Sequence, residues 1–457
     1  MEQDLLQQFV GMVQPHRDFT NTSQSTQVEW FCEYDSDYAR IVLSAPVRRL
    51  QDKTQVFPLK ESDFARKRLT HSMEVASFAR GFGRRVECEL RDQLDAIEAR
   101  IVSQNWLSKI LEVASLVHDI GNPPFGHKGE SAIQSFFTHL PQSDMPEAVK
   151  KAYESLTESQ KADYCHFDGN VQGFRILTKL GLSRNSNSFN LTYPVLASMV
   201  KYPFSSLEGN QKQAVNHEQK KFGYFDSEKE IYNEIIQKLG ITPGNRHPLT
   251  YLVEVADDIA YNVCDIEDGY HVGVLTLENI VAACDECDEG EWIRRCIKEN
   301  EDPEISVQRI RIQSQIRMIN DAGSRFMQLL PHYIAGDCKK GVLDHSDSAN
   351  LLKAFKTLDI RNFQSDKVTE PEQKGCEALR YILEEYVKAV FSPNRNKAGT
   401  RENKIFKAMS ENYWTVATRK NPDGTAPYSL FQYAVDQVAG MTDSFVLKTA
   451  EWMKELQ

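Results

Sequence analysis

The sequence predicts a mainly α-helical protein. Apolar residues recur at three- and four-residue spacing along most of the chain, strand-like runs are few and short, and no internal repeat or low-complexity tract interrupts the pattern. At 457 residues, 41% hydrophobic and 26% charged, the chain is ordinary globular material and long enough to bury a large core. Lys and Arg (54) against Asp and Glu (65) leave a net charge of −11, which excludes a global basic field for nucleic acid. No apolar run approaches the roughly 18 residues of a membrane span. The N-terminus MEQDLLQQFVGMVQPHRDF lacks the basic start and apolar core of an export signal. Nine cysteines scattered from Cys32 to Cys376 fit reduced thiols better than a disulfide framework, so the expected location is the cytoplasm.

In chain order, 64–82, 104–118, 130–140, 169–180, 227–239, 248–268, 305–333, 347–359, 374–391 and 427–440 read as helices. In 104–118, for example, Trp106, Leu107, Ile110, Leu111, Ala114 and Val117 share one face. The strand candidates are 38–43 (YARIVL) and 412–418 (NYWTVAT), enough for small β-hairpins only. Three stretches read as irregular: 141–168 around a helix-compatible 147–161, the polar 203–226, and the basic 392–404. Within the second, 205–222 is expected to be a substrate-side or interface loop, since long loops in compact domains are usually functional or mobile. The expected organisation is an N-terminal segment (1–45), a core carrying the site (46–270) and a C-terminal helical region (271–457) packed on that core and in an oligomer interface. The acidic, Gly-interrupted run CDECDEGE marks the second division weakly.

The strongest local signal is Leu116-Val117-His118-Asp119-Ile120-Gly121-Asn122-Pro123-Pro124-Phe125-Gly126-His127-Lys128-Gly129-Glu130. An apolar helix runs into His118 and Asp119 and stops at Gly121 and the proline pair, delivering an imidazole and a carboxylate side by side. A second helix then opens with His127 and Glu130 three apart, neighbours on its first turn. Upstream, His71 lies on a helix with Val75, Phe78 and Ala79; a lone histidine there is more often a packed residue than a ligand. Downstream, Asp257, Tyr261 and Asp265 follow at i, i+4 and i+8 beside an apolar face, which reads either as a solvated acidic stripe or as two carboxylates bracketing an aromatic. Taken together, His71, His118, Asp119 and Asp257 offer two imidazoles and two carboxylates. Such mixed N/O ligation suits Mn, Fe, Co, Mg or Zn, and a metal held so would act on phosphate oxygens.

The order His71, His118-Asp119, Asp257 resembles the signature of the HD-domain metal-dependent phosphohydrolases. The phrases 49–57, 68–72, 117–130, 168–173 (DGNVQG), 200–203 (VKYP), 257–265 and 439–443 (AGMTD) resemble one branch, the bacterial deoxyguanosinetriphosphate triphosphohydrolases. The resemblance implies a helical HD core with additional C-terminal helices. It also implies hydrolysis of a dNTP, dGTP by default, to deoxynucleoside and inorganic triphosphate by water attack at the α-phosphorus. It implies a divalent metal, Mg or Mn first (with Co, Fe, Zn or Ni as alternatives), on His71, His118, Asp119 and Asp257. Arg68, Lys201 and Tyr261 would contact the triphosphate, with Asn122 beside it; Gln51 and Asp265 would meet the sugar 3′-hydroxyl; His127, oriented by Glu130, would be the acid–base group. A homo-oligomer, hexamer or tetramer, is implied as well, with an allosteric nucleotide or single-stranded DNA as further partners and no membrane.

The rival readings are another HD phosphohydrolase, acting on nucleoside monophosphates, guanosine tetraphosphate or cyclic nucleotides, and a non-catalytic HD regulator that binds nucleotide or nucleic acid. A pure binder has no need of the His127–Glu130 pair. Cys284-x-x-Cys287 lacks a second pair and reads as incidental, and basic 392–404 reads as a solvated loop sooner than a nucleic-acid contact.

Overall fold

The computed structural model describes residues 2–17, 32–58, 65–95, 98–181, 188–210, 217–420 and 426–456. Among these residues there is no strand; the only β-type pairing is an isolated antiparallel bridge between Thr54 and Lys67. The mainly helical expectation holds, and each of the ten stretches read as helical carries a helix.

Two helices found the core. In Arg68–Leu90 the buried positions His71, Val75, Ala79, Phe82, Val86 and Leu90 step by three or four residues, so the helix presents one apolar stripe with His71 at its upper end. That stripe packs on the almost wholly buried helix Trp106–Leu116. The two backbones approach closely at Gly83, where an added Cβ would sit 2.5 Å from the Cα of Ser108. Glu87 fixes the crossing by accepting both the backbone N–H (2.9 Å) and the hydroxyl (2.8 Å) of Ser108. The long helix Thr250–His271 lies across the first of these and is backed by Pro303–Ala335 and Ala349–Gln364. Asp366–Phe391 packs against Gly126–His139 on one side and Pro427–Ala439 and Asp443–Glu455 on the other.

Both strand candidates are helical. Residues 38–43 belong mostly to Glu33–Val42, where Tyr34, Asp37 and Ile41 bury one face and Asp35 accepts the Cys32 N–H at 2.9 Å. Residues 412–418 belong to Glu411–Thr418, opened by the Ser410 side chain accepting from the Tyr413 N–H. In each run a helix cap and tertiary burial override the β-propensity of Tyr, Val and Thr. Irregular 141–168 contains two helices, Glu147–Glu154 and Glu158–Cys165. The basic 392–404 stretch is partly used inside the fold: Arg395 sits 5.3 Å over the Trp414 ring, and Arg401 opens a helix and pairs with Glu385. All nine cysteines are free, with Cys284 buried in the core. No helix of the described residues is long and apolar enough to cross a membrane.

Candidate active site

His118 and Asp119 sit on the turn that ends Trp106–Leu116, with Val117 as the C-cap. This turn packs backbone to backbone on the helix Gly169–Arg175: a Cβ on Gly121 would lie 2.0 Å from the Gly173 nitrogen. Asp168 caps that helix by accepting the Asn170 N–H at 2.9 Å, which explains the polar start of the DGNVQG phrase.

Three elements bring the expected ligand atoms together. Suitable atoms of His71, His118 and Asp119 all lie within 4.8 Å of one another. Asp257 adds its Oδ1 at 3.0 Å from His71 Nε2 and 3.4 Å from His118 Nε2. His118 Nδ1 lies 2.7 Å from the Ser115 carbonyl; since a carbonyl only accepts, Nδ1 carries the proton and Nε2 is left as a lone-pair donor. That Nε2 is buried and has no hydrogen-bond partner. Burial opposes charge on His118, but Asp119 and Asp257 overcome it and push its pKa up to about 9, so a cation at Nε2 would displace a proton held between these carboxylates. Burial likewise raises Asp119, and Arg68 followed by His118 outweighs it, holding the carboxyl at about 2. Two imidazoles and two ionised carboxylates around one point, with an orphaned ring nitrogen among them, fit a divalent cation.

These groups line a cavity of about 530 Å³, within the range of small-ligand sites. Arg68, His71, His118, Asp119, Asn122, His127, Lys201, Asp257 and Tyr261 all face it. Arg68 donates to Asp119 through Nη1, and its buried Nε is unpartnered. Asn122 Nδ2 also donates to Asp119. Lys201 pairs with Glu254 at 2.9 Å, which raises its pKa against the effect of burial. His127 Nδ1 lies 2.8 Å from Glu130 Oε2, and that hydrogen bond raises the His127 pKa. Glu130 does not line the cavity; it is buried behind His127, with its other oxygen accepting the Gly169 N–H at 2.7 Å. The His127 side chain is 82% exposed, open to an incoming ligand.

Two expected substrate contacts fall elsewhere. Gln51 is exposed on the short 3₁₀ turn Leu50–Asp52, which spends Leu50 on the core and turns the next residue outward. Four residues on, buried Gln55 lines the cavity instead, with an unpartnered Oε1. Asp265 is buried and does not line the cavity. A step of eight residues on an α-helix turns the side chain by about 80°, so Asp265 diverges from Asp257. It faces the helix Ala349–Gln364: Asn362 donates to its carbonyl at 3.0 Å, and both carboxylate oxygens lack partners. Burial, then Asp359 and Asp268, push the Asp265 carboxyl well above its ordinary range.

The cavity also recruits residues that the sequence reading passed over. Tyr202 belongs to the VKYP phrase and Lys221 to the loop expected on the substrate side; 211–216 of that loop lie outside the described residues. Phe363 stacks on Tyr261 at 6.0 Å between centroids, and Glu372, raised to about 7 by burial against the pull of Lys128 and His127, completes the wall. Both come from helices far along the chain, with no local motif to signal them.

Residues 68–172 match the HD domain family, which takes in Arg68, His71, His118-Asp119 and His127 to Glu130. A deoxyguanosinetriphosphate triphosphohydrolase-like protein of Listeria innocua is 34% identical over 90% of this chain and 91% of its own length. This chain belongs to the deoxyguanosinetriphosphate triphosphohydrolase family. A Synechocystis relative carrying the same "-like" name is 34% identical over 89% of the chain and 90% of its own length. A Salmonella paratyphi A protein named deoxyguanosinetriphosphate triphosphohydrolase, without the suffix, is 28% identical over 90% of the chain and 91% of its own length. Membership makes the chain an HD-domain hydrolase, and the matched region supplies part of the cavity lining, including Arg68, His71, His118, Asp119 and His127. Asp257, Lys201 and Tyr261 reach the cavity from beyond residues 68–172.

Proposed function

We propose that the enzyme hydrolyses deoxynucleoside triphosphates, dGTP in preference, to the deoxynucleoside and inorganic triphosphate. The observation that carries this reading is one cavity in which His71, His118 and Asp119 cluster with Asp257 beside them, together with the cations of Arg68 and Lys201 and a carboxylate-oriented imidazole. Triphosphate has four charges to neutralise, and charge-assisted contacts from Arg and Lys are the strong ones. The dGTP preference rests on the names of the relatives.

His71, His118, Asp119 and Asp257 would hold the metal, Mg or Mn first. Bound there, the ion supplies Lewis-acid charge at the phosphate oxygens. In the reaction a water oxygen bonds to the α-phosphorus, the bond from that phosphorus to the sugar 5′-oxygen breaks, and the 5′-oxygen leaves with a proton. His127, oriented at Nδ1 by Glu130, leaves Nε2 to move a proton on one side of the α-phosphorus. Arg68 and Lys201 hold the triphosphate, with Asn122 beside it; Gln55 presents a free amide oxygen, an acceptor suited to a hydroxyl or N–H of the nucleoside and not to phosphate. Tyr261 and Phe363 wall the sugar. Asp265, whose buried oxygens have no partner within the protein, remains the proposed acceptor for the 3′-hydroxyl, a role that requires substrate binding to open the cavity to it.

The deciding experiment is product analysis by chromatography after incubating each dNTP with Mg or Mn. Intact triphosphate supports attack at the α-phosphorus. Release of monophosphate or pyrophosphate would instead favour another HD phosphohydrolase. We also propose a cytoplasmic homo-oligomer of hexameric or tetrameric order, to be read by light scattering at micromolar protein; a fully active monomer would overturn it.

A further inference from the structure

Asp443 is the first residue of the last helix, yet it does not cap it: Thr442 does, its side chain accepting from the Phe445 N–H. The Asp443 carboxylate, in a residue only 2% exposed, is turned to two other segments. Oδ1 accepts the Phe125 N–H at 3.1 Å, and Oδ2 accepts the Thr54 N–H at 3.0 Å and the Thr54 hydroxyl. Four residues earlier, the Ala439 carbonyl accepts from the buried Lys53 ammonium at 2.9 Å, and the same ammonium donates to the Asn122 carbonyl at 2.5 Å. The 439–443 phrase is thereby tied to both sides of the turn that precedes His127.

That turn is strained. Phe125 has φ +60° and Gly126 φ +55°, two consecutive left-handed residues immediately before His127. A side-chain-bearing residue keeps such a conformation only where its surroundings over-determine it. Two features do so from the C-terminal region: Asp443 on the Phe125 N–H, and a notch at Gly375 where a Cβ would lie 2.3 Å from the Phe125 ring. Gly126 has its own constraint, since a Cβ there would meet Arg68 Nη2 at 2.8 Å.

We infer that Asp443 is a positioning residue for His127: it holds the left-handed Phe125–Gly126 turn and so aims the imidazole at the α-phosphorus. The inference rests on the proposed acid–base role of His127. Asp443 itself does not line the cavity, and its carboxylate accepts from Phe125 and Thr54, outside its own helix.

Steady-state kinetics with dGTP and Mn on Asp443→Asn, His127→Ala and the double variant test this. An amide cannot accept two N–H donors on opposite oxygens, so Asp443→Asn loosens the turn without changing volume. Displacements of about 1 Å can cost of order 10²-fold in rate. The expected result is a kcat lowered by about 10- to 100-fold with KM changed less than about threefold. In the His127→Ala background the same substitution produces no further fall in kcat, because the group it positions is gone. Gly375→Ala, which displaces the Phe125 ring and leaves Asp443 intact, gives the same pattern and serves where Asp443→Asn does not fold. Losses that multiply with His127→Ala, or wild-type kcat in both variants, would overturn the inference alone. A His127→Ala enzyme that turns over normally removes the acid–base reading first and this inference with it.

Discussion

Glu130 couples His127 to the backbone of Gly169: one carboxylate oxygen lies 2.8 Å from His127 Nδ1, and the other accepts the Gly169 N–H at 2.7 Å. The imidazole is exposed, but the group that orients it is buried and fixed at both ends. In the proposed reaction Glu130 orients and His127 transfers the proton, and the two roles are separable by experiment.

His127→Ala is expected to lower kcat by roughly 10²–10⁴, the usual range for a positioned acid–base group, with a smaller effect on KM. Glu130→Gln tests the electrostatic half. The hydrogen bond that His127 donates to Glu130 raises the His127 pKa, so the limb of the kcat–pH profile that reports His127 lies above its ordinary 6.5. Replacing the carboxylate removes that support, and the limb moves to lower pH. Profiles that superimpose would show that the limb belongs to another group.

Alanine at His71, His118, Asp119 or Asp257 is expected to abolish hydrolysis and stoichiometric Mn binding, measured by calorimetry, while the far-ultraviolet dichroism stays helical. Ligand loss deletes the proposed cation site, but the core beneath it is built from Val75, Ala79, Phe82, Leu111 and Ala114, which no ion supports. An active Asp257→Ala protein that binds no metal would refute the ligand set.

Lys201→Ala is expected to raise KM for dGTP more than it lowers kcat, since the proposed role of Lys201 is to supply charge to the substrate from outside the cation site. Its removal also leaves Glu254 with Arg246 at 2.8 Å as partner, so the carboxylate is not stranded and the melting temperature changes little. A kcat effect larger than the KM effect would move Lys201 from binding into the chemical step.

Much of this was legible before any coordinates. His118-Asp119 and His127-x-x-Glu130 are local features: a helix end and a first turn put each pair together wherever the fold goes, so spacing sufficed. His71 and Asp257 needed the family resemblance, because only tertiary packing brings their nitrogen and oxygen to 3.0 Å. The helices were readable from period alone, whereas 38–43 and 412–418 misled because β-branched and aromatic residues also serve a short capped helix. Gln51 and Gln55 share one phrase and cannot be told apart without knowing that Leu50 goes to the core. Phe363 and Glu372 carry no signal at all, since their place in the wall is set by helix packing over long sequence distances.

Asp265 offers the sharpest test, because stability and specificity make opposite demands on it. Its carboxyl is buried, neither oxygen has a partner, and Asp359 and Asp268 lie near enough to raise its pKa further. The sign follows from the linkage: an acid whose folded pKa lies above its unfolded 3.8 favours folding at low pH and opposes it as pH rises past that value. The isosteric, uncharged Asp265→Asn is therefore expected to raise the melting temperature at pH 7, with the gain shrinking towards pH 4. The use proposed for this carboxyl is the 3′-hydroxyl, which would supply the missing partner once substrate binding opens the cavity to it. A site that bonds a hydroxyl can reject an analogue lacking it by up to roughly 10⁴–10⁵. Wild-type enzyme should accordingly prefer dGTP over 2′,3′-dideoxy-GTP, and Asp265→Ala should narrow that ratio by at least an order of magnitude. Rejection of GTP, by contrast, is expected from the Tyr261–Phe363 wall; an added hydroxyl against apolar surface is excluded by only about 10²-fold, and that preference should weaken in Tyr261→Ala. If Asp265→Asn stabilises the protein while Asp265→Ala leaves the dideoxy ratio untouched, the carboxyl is buried strain with no part in reading the sugar.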